Sequence, residues 1–371
     1  MSRRQPGLRW AARCLSSLVW ATVLSTGLTG GSPVLTVAYD IPEGPALHQL
    51  KGLAQAAEQT EVDRWGPSFF RILDDGRLVV GDPLAGRIKL FGPGNKVQAA
   101  LGDPKHVLCA AIGELCLAPN REIVYVESST RVLVRMDLEG KVKKVFDPRT
   151  TLAFEDPSRL ESTRDGRLVV GDEGAGKIHV LDPELRLLKT IPYSGMGLAL
   201  GPGDEIFTVS LEGRGYRIEC WDRKLAGCRK LGLVTELPDA ALHLETATPG
   251  AELVFTQSHK GGKGTRIVKV SPDGRVIDAW SVAGSRYRVT VRMGPAATLY
   301  ALLAPAPAVP GSRYRIVRIA QDRGTTRLTI PPGSPAPPGL SREASKPGGP
   351  LLRTDPPGPP RAVPEPGPSA R

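Results

Sequence analysis

From about residue 66 to residue 330, one pattern of apolar and polar positions recurs six times. Each unit opens on a short apolar run, such as Phe69–Leu73 or Met196–Leu200, and breaks at a turn that needs Gly or Pro. A second run rich in β-branched and aromatic residues follows: Leu78–Val80, Ile123–Val126, Leu168–Val170, Ile206–Val209, Leu253–Phe255 and Leu299–Leu302. The third run alternates with period two, as in Arg131–Met136, Tyr216–Trp221, Arg266–Val270 and Tyr314–Ile319. A second turn, for example Pro272-Asp-Gly274, leads to a more polar fourth run such as Lys141–Phe146 or Arg275–Trp280. The first turns fall at Gly76, Asn120, Gly166, Gly203, Gly250 and Gly294, spaced 44, 46, 37, 47 and 44 residues apart. Six such units, each of four antiparallel strands with a buried second strand and a half-exposed outer one, predict an all-β six-bladed propeller.

The flanks read differently. Arg3, Arg4, Arg9 and Arg13 precede an apolar run of 15 residues, Cys14–Leu28, which rises only about 22 Å as a helix. Residues 1–38 therefore read as an export signal, with cleavage near residue 27 or 38, rather than a permanent anchor. Residues 39–65 form a lead-in to the ring, read as a short helix or a closing strand. The pattern of the last unit predicts a fourth strand of its own at Thr326–Ile330. In residues 331–371, 14 of 41 are Pro and no apolar period survives, so that tail is expected to be disordered or polyproline-like.

Composition sharpens this picture. Only 5% of residues are aromatic, whereas Gly (42) and Pro (35) are abundant, which favours many short strands and turns. Of the formal charge of +11, the leader holds four, and about +5 belongs to the ring, scattered among acids. No basic cluster with interleaved aromatics points to nucleic acid. After export four cysteines remain, in two local pairs. An oxidising compartment would join Cys109–Cys116 and Cys220–Cys228, although three connectivities are open. Neither spacing suits a zinc knuckle.

The run Asp75-Gly-Arg-Leu-Val-Val-Gly-Asp82, continued by Gly86-Arg-Ile-Lys-Leu-Phe91, and its parallel Asp165–Leu181 resemble the NHL-repeat propellers and their six-bladed relatives of the regucalcin and gluconolactonase type. The resemblance implies the fold and a functional face built by loops at one end of the ring. It does not fix a chemistry.

On that face the turns between second and third strands carry Asp82, Glu127, Asp172, Glu173 and Glu212, with His259 in the fifth unit. These are the ligand-face candidates. Asp82, Glu127 and Asp172 are also candidate ligands for Ca²⁺ or another divalent cation, although acids in tight turns commonly serve only to cap them. The sequence predicts no other cofactor. Asn95 and Asn120, the only asparagines, fall at the opposite end, so the asparagine-containing metal site of regucalcin-type relatives is expected to be absent. His48, His106, His179, His243 and His259 show no ligand spacing, and His179 and His243 sit in strand patterns that read as structural. Gly171-Asp-Glu-Gly-Ala-Gly-Lys177 mimics a phosphate-binding loop, but Ile178 replaces the hydroxyl residue and a strand follows. No nucleophile elbow occurs.

The reading that results is a periplasmic or extracellular binding or scaffold protein, monomeric, without a transmembrane domain once processed. It would present a loop face to a protein, peptide or glycan, and an enzymatic role is disfavoured. Two alternatives stay open: a metal-assisted hydrolase or lyase using the acidic ring, and an envelope component tethered by the Pro-rich tail.

Overall fold

A computed structural model describes residues 34–43, 46, 49–50, 67, 69–102, 112–127, 129–147, 154–235, 237, 242–258, 265–282, 289–304 and 313–320. The bulk of the leader, Cys109, His48, His106, His259, Thr326–Ile330 and the Pro-rich tail lie outside these residues.

Six four-stranded antiparallel sheets form a six-bladed β-propeller. Blade 1 is β2 (Phe70–Ile72), β3 (Leu78–Asp82), β4 (Arg87–Phe91) and β5 (Val97–Leu101). Blade 2 is β6 (Ile112–Leu117), β7 (Ile123–Glu127), β8 (Val132–Met136) and β9 (Val142–Phe146). Blade 3 is β10 (Pro157–Ser162), β11 (Leu168–Asp172), β12 (Lys177–Leu181) and β13 (Leu187–Pro192). Blade 4 is β14 (Leu198–Leu200), β15 (Ile206–Glu212), β16 (Gly215–Trp221) and β17 (Cys228–Val234). Blade 5 is β18 (Leu242–Ala247), β19 (Leu253–Ser258), β20 (Thr265–Val270) and β21 (Val276–Val282). Blade 6 takes β22 (Thr290–Gly294), β23 (Thr298–Leu303) and β24 (Arg313–Ala320) from the end of the ring, and β1 (Val34–Pro42) from its beginning.

The first strand of each blade packs against the first strands of both neighbours, closing a cycle around the axis. The apolar cores of the second strands, such as Leu78–Val80 and Leu168–Val170, are buried because a sheet lies on each side of them. Outer strands are exposed along much of their length, as in Val142–Val145.

Closure differs from one of the two expectations. The strand beside β24 in blade 6 is β1, which pairs with it from Val34↔Ala320 to Pro42↔Arg313 across one bulge, while Thr326–Ile330 lies outside the described residues. Alternating residues of β1 point inward, and Tyr39 and Ile41 join the core shared by blades 6 and 1. Ring closure by the N-terminal segment satisfies the edge that β24 would otherwise expose.

One joint recurs at the seams. The outer strand of a blade, or its last residue, meets the turn between the third and fourth strands of the next. Leu101 packs on Gly140, Lys144 Nζ donates to the Glu184 carbonyl, and Lys189 Nζ donates to the Leu225 carbonyl. Gly232 N donates to the Pro272 carbonyl at 2.9 Å, and Asp40 N donates to Asn95 Oδ1 at 3.0 Å. The last of these shows β1 behaving as an ordinary fourth strand, although the chain reaches it first.

The expected disulfide Cys220–Cys228 is not formed: Cys116, Cys220 and Cys228 are free thiols. The register explains this. Cys228 pairs with Trp221 and Cys220 with Arg229, so the two cysteine side chains leave opposite faces of the β16–β17 ladder. Cys116 is buried in the core between blades 2 and 3, where burial raises its thiol pKa strongly. Its expected partner, Cys109, falls outside the described residues.

Candidate functional site

Asp82, Glu127 and Asp172 end the second strands of blades 1, 2 and 3, and each is turned into its own fold. Asp82, Glu127 and Asp172 are completely buried. Asp82 accepts from Ala85 N, and Glu127 takes the N–H and hydroxyl groups of Ser129 and Thr130. Asp172 accepts from Ala175 N at 3.2 Å, Glu155 N at 2.8 Å and Asp156 N at 2.7 Å, stitching the lead-in of blade 3 to its turn. Asp82 also pairs with Lys89 at 2.8 Å. The equivalent position in blade 3 is His179, 3.8 Å from Asp172 and stacked obliquely on Phe154. Burial pulls the His179 pKa down, against the pull of Asp172. Glu173 is half-buried, and Glu212 is exposed and paired with Arg217 at 2.7 Å. The structure does not gather these acids: among the described residues no group of three or more His, Cys, Asp or Glu is placed to hold a metal ion.

What the structure gathers instead is a set of charges on the axis. Five of the six first strands carry a charged side chain there: Arg71 in blade 1, Glu114 in blade 2, Arg159 and Glu161 in blade 3, Glu245 in blade 5 and Arg292 in blade 6. Blade 4 has Ala199 in its short first strand and contributes backbone carbonyls. Glu114 and Glu245 are buried, and each stands at a register break of its strand, between Ile112 and Leu115 or between Leu244 and Thr246. A bulge supplies an extra residue to one face and so re-aims its side chain.

The geometry is a closed hub. Arg292 bridges the two carboxylates, with Nη1 2.8 Å from Glu245 Oε2 and Nη2 2.9 Å from Glu114 Oε2. Arg159 Nη1 lies 3.6 Å from the same two oxygens. Its Nη2 donates to the carbonyls of Leu198 at 3.2 Å and Glu245 at 2.6 Å, so this one side chain spans blades 3, 4 and 5. Arg71 reaches Glu114 at 3.6 Å and Glu161 at 3.2 Å. Thr256 Oγ1 donates to Glu245 Oε1 at 2.9 Å, and His243 Nδ1 lies 3.3 Å from that oxygen. Burial pulls the Arg159 guanidinium down, but Glu245, Glu114 and Glu161 outweigh it and hold its pKa above the ordinary arginine value. Arg292 is pulled down to about 10 by burial and by the neighbouring Arg159, and stays cationic at neutral pH. Three guanidiniums face three carboxylates, and no charge here stands alone.

No protein-family model matches the chain, and no curated protein matches it. Solved structures do. A protein from Bacteroides fragilis, described as exported, superposes with a TM-score of 0.52 at 9% identity, over 80% of this chain and 97% of that one. Virginiamycin B lyase from Staphylococcus aureus gives 0.49 at 12% identity, over 70% and 97%. A gluconolactonase from Xanthomonas campestris gives 0.48 at 14% identity, over 79% and 99%. The six sheets place the chain in the six-bladed propeller class, and these likenesses extend to fold alone.

Proposed function

We propose that this protein is an exported binding scaffold whose loop face engages a protein, peptide or glycan. The observation that carries this reading is that the fold itself consumes the charged groups. The second-strand acids hold their own turns, and the axial charges of five blades neutralise one another. A scaffold built this way keeps its centre rigid and leaves recognition to the loops at one end, as propellers commonly do. Export rests on the leader and not on Cys220–Cys228, which remain free thiols. No described helix is long and apolar enough to cross a membrane.

The test is paired. The purified chain is incubated with a lactone, a phosphoester and an amidated peptide, and also used as bait on the outer surface and periplasm of the exporting cell. A stoichiometric partner without turnover supports the proposal, and turnover of any of the three substrates sinks it.

A further inference from the structure

The lead-in to blade 3, Phe154–Asp156, is held from both sides. Arg131 of blade 2 donates from Nη1 to the Phe154 carbonyl at 3.1 Å. In blade 3 the Asp172 carboxylate takes the N–H groups of Glu155 and Asp156, and Glu173 N donates to the Asp156 carbonyl at 2.9 Å. The turn fits closely there: a methyl on Gly174 would lie 2.8 Å from Glu155 Cβ and 3.0 Å from Asp156 N. Phe154 is buried in the core shared by blades 2 and 3, and its ring centroid lies 5.3 Å from that of His179. This short segment is therefore a joint between two blades at their loop end.

His179 sits against that joint on β12, with only 3% of its side chain exposed. Nδ1 lies 3.3 Å from Thr190 Oγ1 on β13, while Nε2 is buried without a hydrogen-bond partner, 3.8 Å from Asp172 Oδ2. That oxygen already accepts from Glu155 N at 2.8 Å, and Oδ1 accepts from Asp156 N and Ala175 N. A neutral ring suits this arrangement. A protonated ring brings a charge and a second N–H donor into a buried site. The new donor is satisfied either by drawing Asp172 off the lead-in or by opening the lead-in to water. Both responses loosen the same segment. Among the described residues, the charges acting on the ring are Asp172 of β11, which favours the cation, and Lys177 of β12, which opposes it. The other elements against it bring the neutral Thr190 and Phe154. Burial is the largest influence and keeps the ring neutral near pH 7. Blade 1 supplies the contrast: Lys89 stands in the corresponding place, 2.8 Å from Asp82, so that turn carries no imidazole.

We propose that His179 makes this joint a pH sensor: protonation of the ring releases Phe154–Asp156 from the turn Asp172–Gly176 and loosens blade 3 from blade 2 at the loop end. The closed joint holds the ring neutral, whereas the open joint lets it titrate as an ordinary histidine. Closure is therefore at full strength above about pH 6.5 and weakens as pH falls below it, by at most about tenfold per pH unit. The inference does not depend on what the loop face binds.

The experiment is amide hydrogen exchange on the full chain between about pH 7.5 and about pH 5.5, corrected for the intrinsic rate at each pH. The amides of Glu155, Asp156 and Ala175 report the joint, and Ala85, bonded to Asp82, reports its blade 1 counterpart. Towards the lower pH, protection of the first three should fall by roughly threefold or more while that of Ala85 holds. H179Q, which has no titrating ring, should abolish the fall. A second measurement stands even if H179Q misfolds: in wild type the fall should begin near about pH 6.5 and level off as pH passes the midpoint of the His179 ring protons, followed by NMR. Protection that stays constant, or that falls equally at Ala85, overturns the sensor. So does a fall that persists in folded H179Q, or a ring midpoint at or above about 6.5.

Discussion

Arg292 shows how much a single axial side chain carries. Replacing it with Met leaves Glu114 and Glu245 facing each other in a buried setting with one hydrogen-bonded partner fewer each. Removing one member of a buried ion cluster costs on the order of 3–5 kcal/mol, so R292M should lower the urea midpoint steeply without changing the fold of what remains folded. A surface ion pair behaves otherwise. The hydrogen bond from Arg77, with help from Arg121, holds the Asp75 carboxyl down to about 2. Its stabilisation is therefore complete above the ordinary carboxylate range near pH 4 and is lost as pH falls through about 2. The pair is exposed and screened, so D75N should cost under about 1 kcal/mol at neutral pH, and the gap in melting temperature should close by pH 2. The hub was not read from the sequence, although its residues leave a mark there. Arg71, Glu114, Arg159, Glu245 and Arg292 each interrupt an apolar first-strand run. Period-two counting passes over them as solvent-facing, and at Glu114 and Glu245 a bulge breaks the count itself.

At the scale of elements, strands followed from pattern with little error: Lys177–Leu181 and the second strands stand where alternation and β-branching put them. The glycine repeated in Leu-Val-Val-Gly-Asp also acquires a reason. At Gly171 an added methyl would meet Leu198, Arg159 and Tyr193 within 3.1 Å, so the second strand can lie against the next blade only without a side chain there. What pattern does not encode is which partner completes a sheet, because β1 is separated from β24 by the whole ring. The strand bears on processing. Cleavage near residue 38 would divide β1, whereas cleavage near residue 27 leaves it whole; mass spectrometry of the secreted chain should find a terminus before Val34. A chain lacking residues 34–42 should lose cooperative unfolding, since β24 becomes an open edge. The seam joint makes a second element-level prediction. A methyl on Gly232 would lie 1.9 Å from the backbone carbon of Asp273, while one on Gly227 meets nothing within 4 Å. G232A should cost about 2 kcal/mol or more by strain between blades 4 and 5, and G227A should stay within about 1 kcal/mol of wild type.

For the molecule as a whole, the repeat spacing revealed the number of blades, and the closing strand and central charges complete the account of why the ring holds. Each blade has too little apolar surface to stand alone, and its two neighbours cover it. The position of β1 has one more consequence. Val34 faces Ala320 across the β1–β24 ladder, at the edge of blade 6 remote from the turn joining β23 to β24. The described chain therefore enters at Val34 and leaves at Ala320 side by side, at one end of the same ladder, so the ring is closed by the two segments that begin and finish it.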